Sequence, residues 1–384
     1  MGERRNYHST LPLVQKLLRR LRRFPYWLSV SIHNMNPSWF SCVMGTGILA
    51  ICIVSSPLDL PWLENFAICL WITAVVLLAA LLLLWGLQSV CYPARIQDSL
   101  RHFSHAQNWG TPPMACFTVA SGFVLIGTQL IDPSLCMLYA RILWLSGVAG
   151  SLFSAVAIPY FMFTHYELSA EHTYGNWLLP VAPLIGAAVP GSLLIPYWPD
   201  ALHKEMLVLN YALLGTGMML AAIVIVLFYS RLTYHNVPHG SFVPTFWIVI
   251  GSLGQSATAT IALGNAARGH FLLLGDVLHK AGIAYGMLSW GFGIYWLVLA
   301  ILVTLRAARK HLPFNLGWWS FIYPVGVMTT GTYSLHQHVP TQLFLIAGGA
   351  LLLLLASLWA LVTITTTRHL LHTVRNQTYV PHPL

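Results

Sequence analysis

The chain has 384 residues, 57% of them hydrophobic and only 8% charged, where a soluble domain carries about 25% charged residues. Most of it is thereby excluded from facing water, and the apolar residues come in long runs rather than short alternating segments, which excludes a transmembrane β-barrel and predicts an all-α polytopic membrane protein. The net charge of +9 is uneven: Arg4, Arg5, Lys16, Arg19, Arg20, Arg22 and Arg23 make seven of the 19 basic residues, and with no soluble domain beside them they read as a topology signal with affinity for anionic lipid, not as a nucleic-acid site.

Residues 1–30 form a basic N-terminal segment. Within it LPLVQKLLRRLRR (11–23) puts Leu11, Val14, Leu17, Leu18 and Leu21 near one helical face and the basic residues on the other. This predicts an interfacial amphipathic helix, which Pro25 ends. No apolar stretch with a small-residue cleavage site precedes the first span, so no removable signal peptide is expected. One transmembrane domain follows over 31–366, with ten spans near 37–56, 66–90, 112–131, 136–163, 178–198, 205–229, 244–266, 279–304, 317–335 and 342–366, then a C-terminal tail over 367–384. Short connections predict that consecutive spans pair as five antiparallel hairpins. The six cysteines (Cys42, Cys52, Cys69, Cys91, Cys116, Cys136) lie mostly within spans and form no CxxC, so they read as small apolar residues.

Loop charge sets the orientation. With the N-terminus cytoplasmic, 15 of the 19 basic residues fall on one side, and only Arg141, Lys204, Arg268 and Lys280 on the other. An even number of spans returns the C-terminus to the cytoplasm, so both termini are expected inside a plasma (inner) membrane.

The odd spans are rich in Gly, Ser, Thr, Ala and Pro, as in IGSLGQSATATIALGNAA of the seventh; most even spans are Leu-rich, as in LLLLLASLWALV of the tenth. Small residues permit close helix approach or leave space, and leucine suits lipid. The simplest packing gives each small-residue helix to the centre of a ring, around a pore. The odd spans carry no Asp, Glu, Lys or Arg, which argues against a proton relay, a buried ion-pair switch or a carboxylate-ringed cation pore. Hydroxyls, glycine backbone and proline breaks remain. Pro180, Pro183, Pro190 and Pro324 are expected to break helices at membrane depth, exposing half-helix N-termini that suit anions. The candidate pore-lining residues are Gly45, Thr46, Gly47, Pro183, Pro190, Gly251, Gly254, Gln255, Pro324, Thr329 and Thr330; the alternative for each is tight helix packing alone.

Several stretches occur in the order found in one known family. NPSWFSCVMGTGILA (36–50) resembles the first-span signature of the tellurite-resistance/dicarboxylate transporter family, which includes plant slow anion channels, fungal malate permeases and fungal sulfite efflux pumps. Trp177-Leu178-Leu179-Pro180, WIVIGSLGQSA (247–257), LSWGFGIYWLVLA (288–300) and FNLGWWSFIYP (314–324) are similar to its fifth, seventh, eighth and ninth spans, with Gly251-Ser252 standing where many relatives have Gly-Pro. The resemblance implies five hairpins around a pore in each protomer of a homotrimer. It implies transport of small anions: sulfite or bisulfite, a C4-dicarboxylate such as malate, or chloride and nitrate. Relatives plug the pore with a phenylalanine before the ninth-span proline; the matching residue here is Tyr323, whose hydroxyl is an added donor.

His279 and Lys280 stand at the expected external mouth, either attracting anions or, for the lysine, snorkelling at the interface. Of the competing classes, a metal enzyme would draw on the 17 histidines. The pairs His102/His105, His369/His372 and His336/His338 fall in loops on opposite predicted sides, so neither metal nor cofactor is expected. No Walker A pattern points to ATP. A non-transporting membrane scaffold, with the small residues serving packing alone, is the other alternative.

Overall fold

The computed structural model describes residues 26–58, 60–165, 168–235, 237, 240–310 and 312–377; the amphipathic segment 11–23 and its basic cluster lie outside these. The described residues are helical throughout, with no strand among them. A short helix α1 (Tyr26–His33) leads to α2 (Phe40–Val54) and α3 (Pro61–Cys91). Two more short helices, α4 (Pro93–Arg101) and α5 (Phe103–Ala106), run into α6 (Thr111–Leu125) and α7 (Pro133–His165). Then come α8 (Ala182–Leu194) and α9 (His203–Tyr234), α10 (Ile248–Arg268) and α11 (Leu272–Ala308), and α12 (Ile322–His338) and α13 (Gln342–Gln377). The last helix thus continues well past the boundary expected at 366.

Helix ends follow local chemistry. Asp132 precedes Pro133 and caps α7, accepting from the Ser134 and Leu135 amides at 2.9 and 3.3 Å and from the Ser134 hydroxyl. The Ser134 bond, foremost, holds that carboxyl below the usual carboxylate range. Short 3-10 helices precede all of α2, α6, α8, α10 and α12, at Pro37–Trp39, Gln107–Gly110, Gly175–Leu178, Gly240–Trp247 and Leu316–Phe321. Asn36 and Asn315 cap the first and last of them, accepting from Ser38 N at 2.9 Å and Gly317 N at 2.7 Å.

The five helices α2, α6, α8, α10 and α12 pack each on the next, and α12 returns to α2, closing a ring. Around them, α3, α7, α9, α11 and α13 each pack on the inner helix adjacent in the chain and also on the following inner helix of the ring. Indole N–H groups tie several of these second contacts. Trp144 of α7 donates to Ala187 O of α8 at 2.9 Å, Trp290 of α11 to Thr332 Oγ1 of α12 at 3.0 Å, and Trp359 of α13 to Thr46 Oγ1 of α2 at 3.2 Å.

Among the described residues, eight helices are long and apolar enough to cross a membrane. Inner segments 37–54, 107–129 and 240–268 are 78%, 89% and 72% buried in their most apolar windows, against 28% to 39% for the outer ones. The expected fifth and ninth spans fall short: Ala182–Tyr197 is a shorter apolar helix, and α12 has 17 residues, among them Thr329, Thr330, Thr332, Ser334 and His336. Both are enclosed by neighbours, so an apolar exterior is not demanded of them.

The ring closes tightly where backbones meet without side chains between them. A Cβ on Gly254 of α10 would lie 2.6 Å from Met328 N of α12. Gly254→Ala is expected to destabilise the protein by about 1–3 kcal/mol through overpacking. Gly349→Ala on α13, where an added Cβ meets nothing within 4 Å, is expected to leave stability unchanged or slightly raised. Thermal unfolding of the two purified variants in detergent checks this; equal stabilities would contradict the close α10–α12 approach.

Candidate functional site

Two cavities lie along the inside of the ring. The first has a volume of about 50 Å3 and is lined from the N-terminal ends of all five inner helices, by Ser41 and Met44, Thr111 and Met114, Ala182 and Pro183, Gly251 and Ser252, and Tyr323 and Pro324, with others. The second has a volume of about 230 Å3 and is lined further along the same helices, by Ile48 and Ile51, Thr118 and Ser121, Pro190, Thr258, and Thr330 and Tyr333, with others. All five inner helices therefore run in one direction. Their N-terminal ends, each equivalent to roughly half a positive charge, surround the first cavity. No charged side chain lines either cavity among the described residues.

Among the described residues, only Tyr323 and Gln255 line both cavities. The Tyr323 hydroxyl donates to Gln255 Oε1 at 3.2 Å and also lies 3.3 Å from Met114 Sδ. Tyr323 is 8% exposed and Gln255 7%. This pair forms the partition between the two spaces. A buried phenol needs a partner, and the amide oxygen supplies it.

The inner helices share a register that composition alone does not display. Trp39, Trp109, Trp177, Trp247 and Trp318 stand before them, and five residues after each come Met44, Met114, Ala182, Ser252 and Tyr323, all lining the first cavity. Nine residues after each come Ile48, Thr118, Gly186, Ser256 and Val327, of which all but Ser256 line the second. Aligning the chain on these tryptophans identifies Met44, Met114 and Ser252 as lining residues, which the alternation of small-residue and leucine-rich spans does not.

Of the residues singled out from sequence, Tyr323, Pro183, Pro190, Gly251, Gln255, Pro324 and Thr330 line one or both cavities. Gly45, Thr46, Gly47, Gly254 and Thr329 line neither. Thr46 accepts the Trp359 indole, Thr329 donates to Val325 O at 2.8 Å, and a Cβ on Gly45 or Gly47 would lie 2.8 Å from Trp319 or Thr118. On the outer helix α11, His279 is buried with its ring 5.1 Å from that of His338, and Lys280 is exposed; neither lines either cavity.

The prolines need a correction. Pro180 precedes α8, Pro183 stands in its first turn, and Pro324 is the third residue of α12; only Pro190 is inside a helix. Pro183 thus falls where a helix begins, a position that tolerates proline, and Pro324 at the join between a 3-10 helix and α12. The helices are opened by their starting points rather than by mid-membrane breaks. All six cysteines are unpaired, and no group of three or more metal-ligating side chains occurs among the described residues.

Residues 34–367 match the model of the SLAC1 family, described as voltage-dependent anion channels. An uncharacterised transporter of Methanocaldococcus jannaschii is 29% identical over 339 residues, covering 87% of this chain and 94% of that protein. A sulfite efflux pump of Trichophyton rubrum is 29% identical over 351 residues, covering 89% and 92%. The malic acid transport protein of Schizosaccharomyces pombe is 22% identical over 346 residues, covering 87% and 78%. The matched stretch runs from the 3-10 turn before α2 into α13 and contains both cavities, and the chain belongs to the SLAC1 voltage-dependent anion channel family.

Proposed function

We propose that the protein transports small anions across the plasma membrane, along the axis of the inner ring, with Tyr323 as the gate. Its ten helices then cross the bilayer as five hairpins in each protomer of a homotrimer, with both termini cytoplasmic and the first cavity facing inward. It acts as a transporter and not as an enzyme. The observation that carries this reading is the contact of two uncharged cavities at one pair of side chains, Tyr323 and Gln255. Membership of an anion-channel family and likeness to sulfite and malate transport proteins support the substrate class.

The chemistry of the lining favours monovalent anions. An ion at the neck meets hydroxyls, amides and helix ends but no lysine or arginine. The cost of stripping water from an ion rises steeply with its charge, and a buried dianion without countercharge is heavily penalised. Helix N-termini attract an anion without holding it as a salt bridge would. Hydrogensulfite, chloride and nitrate fit better than fully ionised sulfite or malate.

The test is flux in proteoliposomes with chloride, nitrate, hydrogensulfite, malate and succinate. Tyr323→Ala removes both the ring and its hydrogen bond and is expected to raise flux severalfold over wild type. Unchanged or lower flux in a folded variant would remove the gate, and absence of flux for every anion in both proteins would favour a scaffold. Sulfite flux is expected to be faster on the acid side of neutrality, where hydrogensulfite predominates, than on the alkaline side, where the dianion does. Equal rates at both would contradict the preference for monoanions.

A further inference from the structure

Ser252 stands apart from the other hydroxyls of the inner ring. A serine or threonine inside a helix ordinarily donates to a carbonyl three or four residues back. Ser256 does so to Leu253 O at 2.9 Å, Thr258 to Gly254 O at 3.1 Å and Thr118 to Met114 O at 2.9 Å. Ser252 is 3% exposed, its Oγ is shut off from bulk solvent, and it has no partner; among the described residues no other sealed hydroxyl on the inner helices is in that position. A buried hydroxyl left unpaired costs free energy unless something not of the protein takes the bond.

What Ser252 lines is the first cavity, and Gln255 is one turn further on the same helix face. The Gln255 carbonyl oxygen holds the Tyr323 hydroxyl, and the amide nitrogen of the same side chain is a donor. The lining thus carries three neutral donors: the unpaired Ser252 hydroxyl, the Gln255 amide, and the Tyr323 hydroxyl that Gln255 holds. No carboxylate stands among the residues lining the cavity, and five helix N-termini surround it. An unpaired donor beside other neutral donors, in a field that favours negative charge, describes an anion site. The absence of any cationic side chain limits its occupant to a single charge.

We propose that Ser252 and Gln255 form a binding site for one small monovalent oxyanion at the inner end of the first cavity. The anion accepts from both and draws the Tyr323 hydroxyl off Gln255, so that occupancy loosens the partition. This rests on the anion-transport reading of the same cavity and adds to it a resident binding step with named donors.

The experiment is titration of sodium hydrogensulfite, at constant ionic strength and mildly acid pH, into the full-length protein in detergent, followed by thermal unfolding. Flux is measured on the same preparations in liposomes. The wild type is expected to show a saturable rise in Tm. Ser252→Ala is expected to need on the order of tenfold more anion for half-saturation, since a hydrogen bond to a charged group is lost. Without anion, its Tm is expected to equal or exceed that of the wild type, because an unpaired buried hydroxyl has gone; a purely structural serine would lower it. Gln255→Met is expected to weaken binding similarly and to raise resting flux about threefold to tenfold, as Tyr323 loses its acceptor. Wild-type half-saturation in both variants, or no saturable shift in the wild type, overturns the site. Binding that behaves as expected without any flux overturns the transport reading and leaves the site standing.

Discussion

The arrangement depends on keeping the inner helices away from lipid. Hydrocarbon tolerates no unsatisfied backbone and little polar surface. A short helix such as α8, or a threonine-rich one such as α12, lacks the length or apolar surface of an ordinary lipid-facing span. Here the outer helices sit in the grooves between successive inner helices. Each covers two members of the ring, and the indole bonds of Trp144, Trp290 and Trp359 fix three of these contacts at their polar points. The outer layer carries the leucines and meets the tails. The inner layer is then free to be small, polar and irregular, which is what leaves space along the axis.

Within that space the chemistry is deliberately weak. Full charges would bind an anion tightly or exclude it; the lining offers dipoles instead. Helix N-termini set the sign of the field around the first cavity, and neutral donors give contact points without a deep well. Tyr323, which lines both cavities, belongs to this chemistry too. Where a phenylalanine would block by bulk alone, its hydroxyl commits to Gln255. The partition is therefore a satisfied hydrogen bond between two uncharged groups.

Much of this was legible before the coordinates. Apolar runs of bilayer length located the helices, because a lipid-facing helix has to be apolar along its whole length. The ordered motifs pointed to the family and, through the aromatic before Pro324, to Tyr323. What could not be read was direction around each helix. Thr46 is a hydroxyl in an apolar run, and nothing nearby in sequence shows that it turns outward to Trp359, 313 residues away. Gly45 and Gly47 admit Trp319 and Thr118 rather than opening the axis. Proline effects depend on where the helix begins, and the starts of α8 and α12 are set by the preceding 3-10 turns and packing rather than by residue type alone. Ser252 became visible only as an absence: among the described residues, the one inner-helix hydroxyl sealed from solvent that the protein itself leaves unused.

The common direction of the five inner helices has a mechanical corollary. Carriers that expose a central site alternately to either side commonly rely on two halves of opposite orientation, which exchange conformations as the molecule rocks. A ring of five parallel helices has no such pair to exchange, and its two ends are electrically unlike. Opening by rigid-body rocking would have to disturb every interlocked groove at once. On the proposed reading of Tyr323 as the gate, the economical movement is rotation of that one aromatic side chain within an otherwise static cylinder, which would connect the two faces of the membrane through the protein instead of letting them be visited in turn.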